Sequence, residues 1–254
     1  MPHRSGHHSS GGGIVARRAA ILDKFVEVTG GKEAYGKLQN RVTKGTYELV
    51  GMDIVGNTLV YQARPSKRYY RFEADAFGTL EHGTDGDVVW EKNKRELRMK
   101  DGEDRLAALH EAFFDSVADW RKLYKKAECV GIADVDGKPC YKVVLTPAEV
   151  KQPRTHYFDK QSNLLVKTET QVDDSRGEFL METYPSEYKP VDGILIPFRS
   201  RVTVADSQRL SVTDSVEHNV NIPDNQFKMP EDSKAGEKKE KDEPAKPEEK
   251  PPDD

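Results

Sequence analysis

One stretch decides the fold class of this chain: Val191-Asp-Gly-Ile-Leu-Ile-Pro-Phe-Arg-Ser-Arg-Val-Thr-Val-Ala205. After the turn pair Asp192-Gly193, apolar and polar side chains alternate with the period of a β-strand. The side chains expected on the apolar face are Ile194, Ile196, Phe198, Val202 and Val204. The stretch therefore predicts a long strand with one apolar face. Pro197 on the other face indicates a sheet edge or a bulge, because proline cannot donate a ladder hydrogen bond.

The same alternation recurs along most of the chain. Strands are predicted over 47–49, 59–63, 70–74, from Val88 onward, and over 128–135, 140–146, 155–159, 164–172, 178–184, 194–205 and 209–220. Many of the turns between them are Asp-Gly or similar pairs, which suit antiparallel hairpins. We therefore expect a mainly β (α+β) fold with a single antiparallel sheet of about ten strands, and a sheet of that size must curve strongly.

Residues at helical spacing interrupt the strands. A helix is predicted over 14–28, where the glycine pair Gly30-Gly31 stops it, and a short helix is predicted over 32–38. Asp101 is a good N-cap for a helix over 103–114, in which Leu106, Leu109 and Phe113 share one face. Val117, Trp120 and Tyr124 repeat this spacing and predict one more helix. We expect the helices to cover the concave side of the sheet.

The two ends of the sequence differ from the middle in composition. Residues 1–13 contain three histidines and a Ser-Gly run, which predicts a flexible arm, although the histidines leave metal binding open. Residues 231–254 carry ten acidic and six basic residues and no aromatic or large aliphatic side chain. Such a segment cannot bury enough apolar surface to fold, so we expect a disordered, charged, Pro-rich tail. One domain then spans 14–230.

The charge balance argues against a nucleic-acid partner. The chain has 40 Lys and Arg against 44 Asp and Glu, a net charge of −4, and the tail alone accounts for 6 − 10 = −4. The remainder is formally neutral and has no basic field to attract nucleic acid or an anionic membrane. No apolar run reaches the length of a transmembrane helix, and none resembles a signal-peptide core.

The two cysteines, Cys129 and Cys140, leave the redox compartment open. If Asp136-Gly137 forms a two-residue hairpin turn, Ala133 faces Cys140 and Cys129 faces Val144. The thiols then lie about four residues apart along the ladder, beyond disulfide reach at ~3.3 Å per residue. This register favours two buried free thiols, whereas a shifted register would allow a disulfide.

The sequence has no clear catalytic signature. Gly30-Gly31-Lys32 lacks the other glycines and the following Ser or Thr of a phosphate-binding loop. His110 beside Glu111 cannot by itself make a metal site, and a surface or core role is the simpler interpretation. The pair Asp134 and Asp136 leads into a strand and not into the alternating ligands of a calcium loop. We therefore expect no enzyme activity, no cofactor and no metal.

Aromatic side chains between residues 90 and 124 have two interpretations. They can fill the core, because aromatic residues dominate core energetics. Alternatively, they can wall a cavity for an apolar ligand, with the helix at 103–114 as its lid. The candidate cavity residues are Trp90, Leu106, Leu109, Phe113, Trp120, Ile194, Ile196 and Phe198.

Several segments together resemble one protein family. They are 21–31 (ILDKFVEVTGG), 83–90 (GTDGDVVW), 136–145 (DGKPCYKVVL), 157–165, 188–198 and 219–227 (NVNIPDNQF). In this order they resemble the bacterial outer-membrane lipoprotein-sorting proteins of the LolA/LolB-like superfamily. The resemblance covers about residues 14 to 230 and consists mostly of turn and strand signatures.

The resemblance implies an unclosed β-barrel with helices on its open side. It further implies a non-enzymatic carrier of lipid or lipoprotein acyl chains in the periplasm or cell envelope. The sequence itself contains no signal peptide, so a cytoplasmic location stays open. Other members of the superfamily sense envelope stress by contacting a regulator. Two hypotheses follow: a carrier of an apolar ligand, or an envelope sensor or interaction module that binds a protein partner without a lipid.

Overall fold

The computed structural model describes residues 11–116, 118–174, 177–223 and 225–231. Its helices are α1 (Gly11–Val28), α2 (Gly31–Gly36), α3 (Gly102–Ala112) and α4 (Trp120–Leu123). Three of the predicted helices are thus present with shifted ends, and α1 begins within the segment that the sequence assigned to the N-terminal arm. The rest of that arm and almost all of the predicted tail lie outside the described residues.

The helix predicted around Trp120 is wrong in extent. α4 has four residues, and Tyr124 already begins the next strand, where it pairs with Pro147. Sheet pairing therefore overrides the helical spacing of the apolar side chains. Val117, the first residue of that pattern, lies outside the described residues. Asp101 occupies the N-cap position of α3 as predicted, but its side chain makes no capping hydrogen bond.

Thirteen strands form the remaining regular structure. They are β1 (Asn40–Leu49), β2 (Ile54–Ala63), β3 (Lys67–Ala74), β4 (Gly78–Thr84), β5 (Val89–Lys92), β6 (Leu97–Met99), β7 (Tyr124–Val135), β8 (Lys138–Pro147), β9 (Arg154–Asp159), β10 (Leu165–Asp174), β11 (Gly177–Val191), β12 (Ile194–Val204) and β13 (Ser207–His218). The expected number of about ten is therefore too low. The sequence missed β4, which contains two glycines, and β6, which has only three residues. Neither shows apolar alternation long enough to be recognised.

The strands make one antiparallel sheet that does not close. Their order is β6-β5-β4-β3-β2-β1-β13-β12-β11-β10-β9-β8-β7. The pairing of β1 with β13 brings the two ends of the strand series together in the middle of the sheet, and β6 and β7 are left as free edges. This confirms the predicted single, unclosed antiparallel sheet. Among the helices, α1 contacts β7, α2 contacts β12, and α3 contacts β4 and β5. Coverage of the concave side stays a prediction.

The stretch that decided the fold forms β12 and its preceding turn. β11 pairs with β12 from Ile194 to Val204, whereas β13 pairs only with the half from Arg199 onward. Pro197 therefore lies where β12 has a strand partner on one side only, as its missing N–H led us to expect. Leu195 N–H instead donates to the carbonyl oxygen of Thr29 (2.9 Å), at the end of α1.

The apolar side chains are packed most tightly near the helices. Leu22 and Phe25 of α1 pack against Val143, Leu145 and Phe158 of β8 and β9. A second cluster joins α1 and α2 to Ile194, and a third joins Trp90 of β5 to Tyr69 and Phe227. Each cluster buries side chains that are far apart in sequence, and the first two join the helices to the sheet.

The helix-side face of the sheet is less buried toward its middle. Val143, which packs under α1, lies directly opposite His156 in the sheet register, and the same row of paired residues continues through Thr168, Thr183, Val202 and Arg209. Residues directly opposite one another share a face. Val143 is completely buried, but the five that follow are only half-buried. The face therefore changes from packed core on β8 to half-buried surface on the five strands from β9 to β13.

The cysteine prediction is correct in its main result. Ala133 lies opposite Cys140, as expected, but a bulge between Cys129 and Gly131 places Cys129 opposite Val143 and not Val144. Both thiols are free; Cys140 is buried, whereas Cys129 is half-buried. The prediction of two buried thiols is therefore right for only one of them.

Candidate functional site

A groove of about 530 Å³ lies between α3 and the opposite strands. One wall comes from α3, and the other comes from β9, β10 and the connection between β8 and β9. The apolar residues that line it are Leu106, Ala107, Ala108, Val150 and Val172. The small alanine side chains on α3 leave the space open, because a larger residue at either position would fill it.

Charged side chains surround this apolar strip. They include Lys100, Glu103, Asp104, Glu111, Glu149, Lys151 and Arg154. The groove therefore has mixed chemistry, whereas the sequence left open either a packed core or a cavity for an apolar ligand at this position. A ligand that fits it needs an apolar part and a polar part.

Ion pairs tie α3 to the structure on both sides. At its N-terminal end, Glu103 pairs with Lys151 of the β8–β9 connection. Arg105 pairs with Asp87 of the β4–β5 turn through Nη2 (3.1 Å to Oδ1) and also donates from Nε to the Asp87 carbonyl oxygen (3.0 Å). Exposed pairs of this kind contribute little stability each. Together they fix where α3 lies over the sheet.

Three basic side chains meet between α3 and β9. Arg154 and His156 alternate along β9 and so share its helix-side face, and His110 lies on α3. Arg154 is 18% exposed, and its Nη2 lies 3.8 Å from Oε1 of Glu111. Burial, followed by the charge of Arg154, lowers the pKa of His110 to about 4. Burial, then Arg154 and His110, lower the pKa of His156 to about 3. Both imidazoles are therefore neutral at pH 7.

The hydrogen bonds of this cluster are incomplete. Among the buried polar atoms of the described residues, Nε of Arg154 and both ring nitrogens of His110 have no hydrogen-bond partner. His110 packs its edge against the ring of Tyr124 (5.3 Å between centroids), so its ring plane is set by packing. Neighbouring side chains hold the cluster in place but form no hydrogen bond with Nε of Arg154 or with the ring nitrogens of His110.

A smaller cavity of about 100 Å³ adjoins the groove and shares Lys100, Ala108 and Glu111 with it. Its other lining includes Arg68 and His82, whose Nη1 and Nε2 atoms lie 3.3 Å apart. Burial and the charge of Arg68 lower the pKa of His82 to about 4. The polar character of the groove therefore extends toward β3 and β4.

The eight candidate cavity residues lie in several different places in the structure. Of the eight, Leu106 alone lines the groove, while Leu109 and Phe113 line a separate pocket of about 270 Å³. Trp90 lines the small cavity and is 1% exposed. The rest lie in core clusters or on β12: Trp120 packs with α1, Ile194 and Ile196 pack with α2, and Phe198 lies beneath the ammonium of Lys189, 4.6 Å from the ring centre.

Sequence reasoning missed Arg154, Glu111 and His156 as groove or near-groove residues. One signal was present: Arg154 and His156 alternate at the start of a predicted strand, so two basic side chains must share one face. Their approach to His110 depends on the packing of α3 on the sheet. No local pattern encodes that contact.

Comparison with solved structures identifies the fold. A DUF1329 family protein from Desulfovibrio piger has a TM-score of 0.58 at 16% identity, with 86% of this chain and 98% of that chain covered. A LolA superfamily protein from Nitrosomonas europaea gives 0.57 at 13% identity, covering 83% and 96%. A domain named for outer membrane lipoprotein sorting, from Vibrio parahaemolyticus, gives 0.54 at 9% identity, covering 84% and 97%. The chain therefore has the LolA-like fold, as the sequence resemblance implied.

Sequence comparison adds no closer assignment, since no protein family's profile and no curated protein matches the chain. Within the described residues, no three or more His, Cys, Asp or Glu side chains are grouped so as to hold a metal ion. None of the helices in the same residues has both the length and the apolar character needed to span a membrane.

Proposed function

We propose that this chain is a non-enzymatic binding protein that carries lipid or lipoprotein acyl chains in the bacterial cell envelope. Two of the similar structures are named for the LolA superfamily and for outer membrane lipoprotein sorting. Those names supply the ligand class and the location. The likeness in fold supports the proposal, but it assigns neither the ligand class nor the location to this chain. The geometry of the groove is the further support.

The observation that carries the proposal is the groove beneath α3. Its volume of about 530 Å³ falls within the range of roughly 300–1,000 Å³ that is usual for small-molecule sites. The apolar strip formed by Leu106, Ala107 and Val172 gives an alkyl chain a surface to bury against. Beyond it, the half-buried helix-side face offers room for a longer chain.

The state of the ionisable groups favours binding over catalysis. Lys100 pairs with Glu91 (2.8 Å), Lys151 pairs with Glu103, and Arg154 lies beside Glu111. General acid–base catalysis needs a group that is free to exchange a proton near neutral pH. The groove's cations are instead held in ion pairs, and its histidine neighbours are kept neutral.

Native mass spectrometry tests the proposal. The purified chain is delipidated, exposed to a bacterial lipid extract, and examined for bound species. We expect acyl-chain adducts on the unaltered chain and their loss in Ala108→Trp, which fills the groove. The matched control is Ala20→Trp on the exposed side of α1, which should keep the adducts. Absence of adducts on the unaltered chain, or their retention in Ala108→Trp, contradicts the proposal.

A second candidate function is an envelope sensor or protein-interaction module. The observation that favours it is a set of exposed large apolar side chains at one end of the sheet. Val50, Met52, Val55, Phe77 and Leu80 lie on the β1–β2 and β3–β4 turns and the adjoining strand ends, and Leu180 lies near the start of β11. Exposed apolar groups of this kind mark interaction sites when they cluster.

Cross-linked co-purification from bacterial envelope extracts tests this candidate. The double variant Met52→Asp with Phe77→Asp should lose any partner that uses this end. Deletion of residues 231–254 tests whether the tail acts as a tether. A partner retained by the deleted chain shows that the tail has no role, and capture of no partner by the unaltered chain contradicts the candidate.

A further inference from the structure

The interior arginine beneath α3 is only partly satisfied by the protein. Arg154 Nη2 lies 3.8 Å from Glu111, which can neutralise charge but is too distant for a strong hydrogen bond. Its Nε is buried and has no hydrogen-bond partner. A buried donor left without an acceptor destabilises the fold, so such groups in native proteins usually have a partner that the bare chain does not supply.

His110 has the same deficit. Both of its ring nitrogens are buried without a partner, and its imidazole is neutral at pH 7. A neutral imidazole offers one N–H donor and one acceptor. Burial of Arg154 and His110 side by side therefore leaves at least two unused donors, one of them charged, within a single small region.

This region lies where the apolar strip of the groove ends. Arg154 lines the groove itself, and His110 lines the adjoining pocket of about 270 Å³. Glu149 lines both spaces, so the groove and the pocket are neighbours. An extended ligand whose chain rests on Leu106 and Ala107 would bring its end to this position.

We propose that Arg154 and His110 bind the acidic head group of an amphiphilic ligand, a carboxylate or a phosphate, whose alkyl chain occupies the groove. This inference rests on the proposed ligand-binding function and names the chemistry of the ligand. Arginine has donors only and stays charged, and its fork matches two oxygens of one oxyanion. His110 supplies a second donor to the same group.

The surrounding carboxylates define where the anion can lie. Glu103 is paired with Lys151 and Glu111 with Arg154, while Asp104 and Glu149 are on the lining of the groove. An anion near Asp104 would be repelled. The unpartnered Nε of Arg154 is therefore the donor that is left for an anion.

Binding of three matched ligands to the full chain tests the inference. The ligands are dodecanoic acid, its methyl ester and dodecyl phosphate, and binding is measured by titration calorimetry at pH 7. The ester keeps the alkyl chain and loses the negative charge. We expect the acid or the phosphate to bind at least about tenfold more tightly than the ester, as a charge-assisted hydrogen bond provides. The stronger of the two distinguishes a fatty-acid ligand from a phosphate one.

Arg154→Met should remove this preference, so that the acid, the phosphate and the ester bind with similar affinity. The matched control is Arg209→Met, since Arg209 also has a buried, unpartnered Nε on the helix-side face, four strands or about 19 Å from β9. It should keep the preference. Arg154→Gln provides a milder second variant, and circular dichroism checks the fold of each.

The outcomes separate the two proposals. An ester that binds as tightly as both the acid and the phosphate, or a preference that survives in Arg154→Met, overturns the head-group inference while leaving the ligand-binding function intact. Failure of all three ligands to bind the unaltered chain overturns both.

Discussion

At the residue scale, one buried carboxylate lies between two arginines. Asp115 accepts from Nη2 of Arg64 (2.7 Å) and of Arg41 (3.3 Å), and its side chain is 1% exposed. Arg64 also donates to the carbonyl oxygens of Leu38 and Tyr35, beside α2. Asp115 therefore joins the α3–α4 connection to β1, the β2–β3 turn and the α2 region.

We predict that Asp115→Asn lowers the free energy of unfolding by about 3 kcal/mol, because it removes the buried charge that the partly buried guanidinium groups of Arg41 and Arg64 share. Asparagine tolerates the left-handed backbone at this position (φ 53°), so loss of charge is isolated from backbone strain. Urea unfolding measures the change. Asp119→Ala, which removes a partly exposed carboxylate 3.7 Å from Arg64, should cost about 1 kcal/mol or less. Equal losses would contradict the ranking.

The buried histidines predict that stability falls in mild acid. Burial lowers the pKa of His82 and of His110 to about 4 and that of His156 to about 3, from 6.5. Between pH 6.5 and about 4 the unfolded chain therefore binds more protons than the folded chain. The stability that the three neutral imidazoles contribute is complete above pH 6.5 and is lost as pH falls toward 4. Asp115 has the opposite effect on the free energy of unfolding as pH falls, since burial raises its pKa from 3.8 to about 6. The combined effect of the three histidines is larger than that of this one carboxylate.

Urea unfolding at pH 7 and pH 5 checks this sign. The free energy of unfolding should be lower at pH 5, and His156→Gln should reduce the difference because glutamine does not titrate. Arg154 and His110 face His156 and remain in the variant, so the change reports on His156 alone. An unchanged difference would show that His156 does not carry this effect.

At the element scale, the turn before β12 is fixed by its contact with the corner between α1 and α2. Gly30 has a φ of 136°, and a Cβ atom built on it would lie 2.5 Å from the carbonyl oxygen of Gly193. Gly31, next in the chain, also has a positive φ of 78°, but a Cβ there would meet nothing within 4 Å. Substitutions at these two glycines therefore distinguish the effect of backbone strain from the effect of close packing.

We predict that Gly30→Ala destabilises the protein by about 3 kcal/mol and Gly31→Ala by about 1 kcal/mol, since backbone strain acts at both positions and overpacking at the first only. Thermal and urea unfolding of the two variants provide the comparison. If both variants lose the same stability, the corner does not depend on the close approach to Gly193.

Sequence patterns predicted the elements whose burial follows a local period. The alternation of apolar and polar side chains predicted strand β12 and its apolar face, and the glycine pair after Val28 predicted the end of α1. The three-residue β6 and the extended start of β7 at Tyr124 could not be predicted, because pairing with distant strands fixes both. For the same reason only part of the groove could be predicted. Leu106 belongs to an apolar pattern with helical spacing, whereas Arg154 approaches α3 only through the packing of the helix on the sheet.

Across the whole molecule, the open sheet leaves two surfaces for binding. The groove beneath α3 combines an apolar strip with buried basic groups, and the exposed apolar turns lie at one end of the strands. The free edges are modified against pairing with other sheets: β6 is three residues long, and β7 contains the bulge at Gly131. The proposed function places the ligand in the groove and leaves the turn end for a partner.

Photo-cross-linking with a diazirine derivative of dodecanoic acid tests this central claim most directly. After illumination and digestion, mass spectrometry locates the modified peptides. Binding in the groove predicts adducts within 102–112 and 149–172, removed by an excess of unlabelled dodecanoic acid. Adducts confined to 50–55, 77–80 or around Leu180, or adducts that excess acid does not remove, would contradict it.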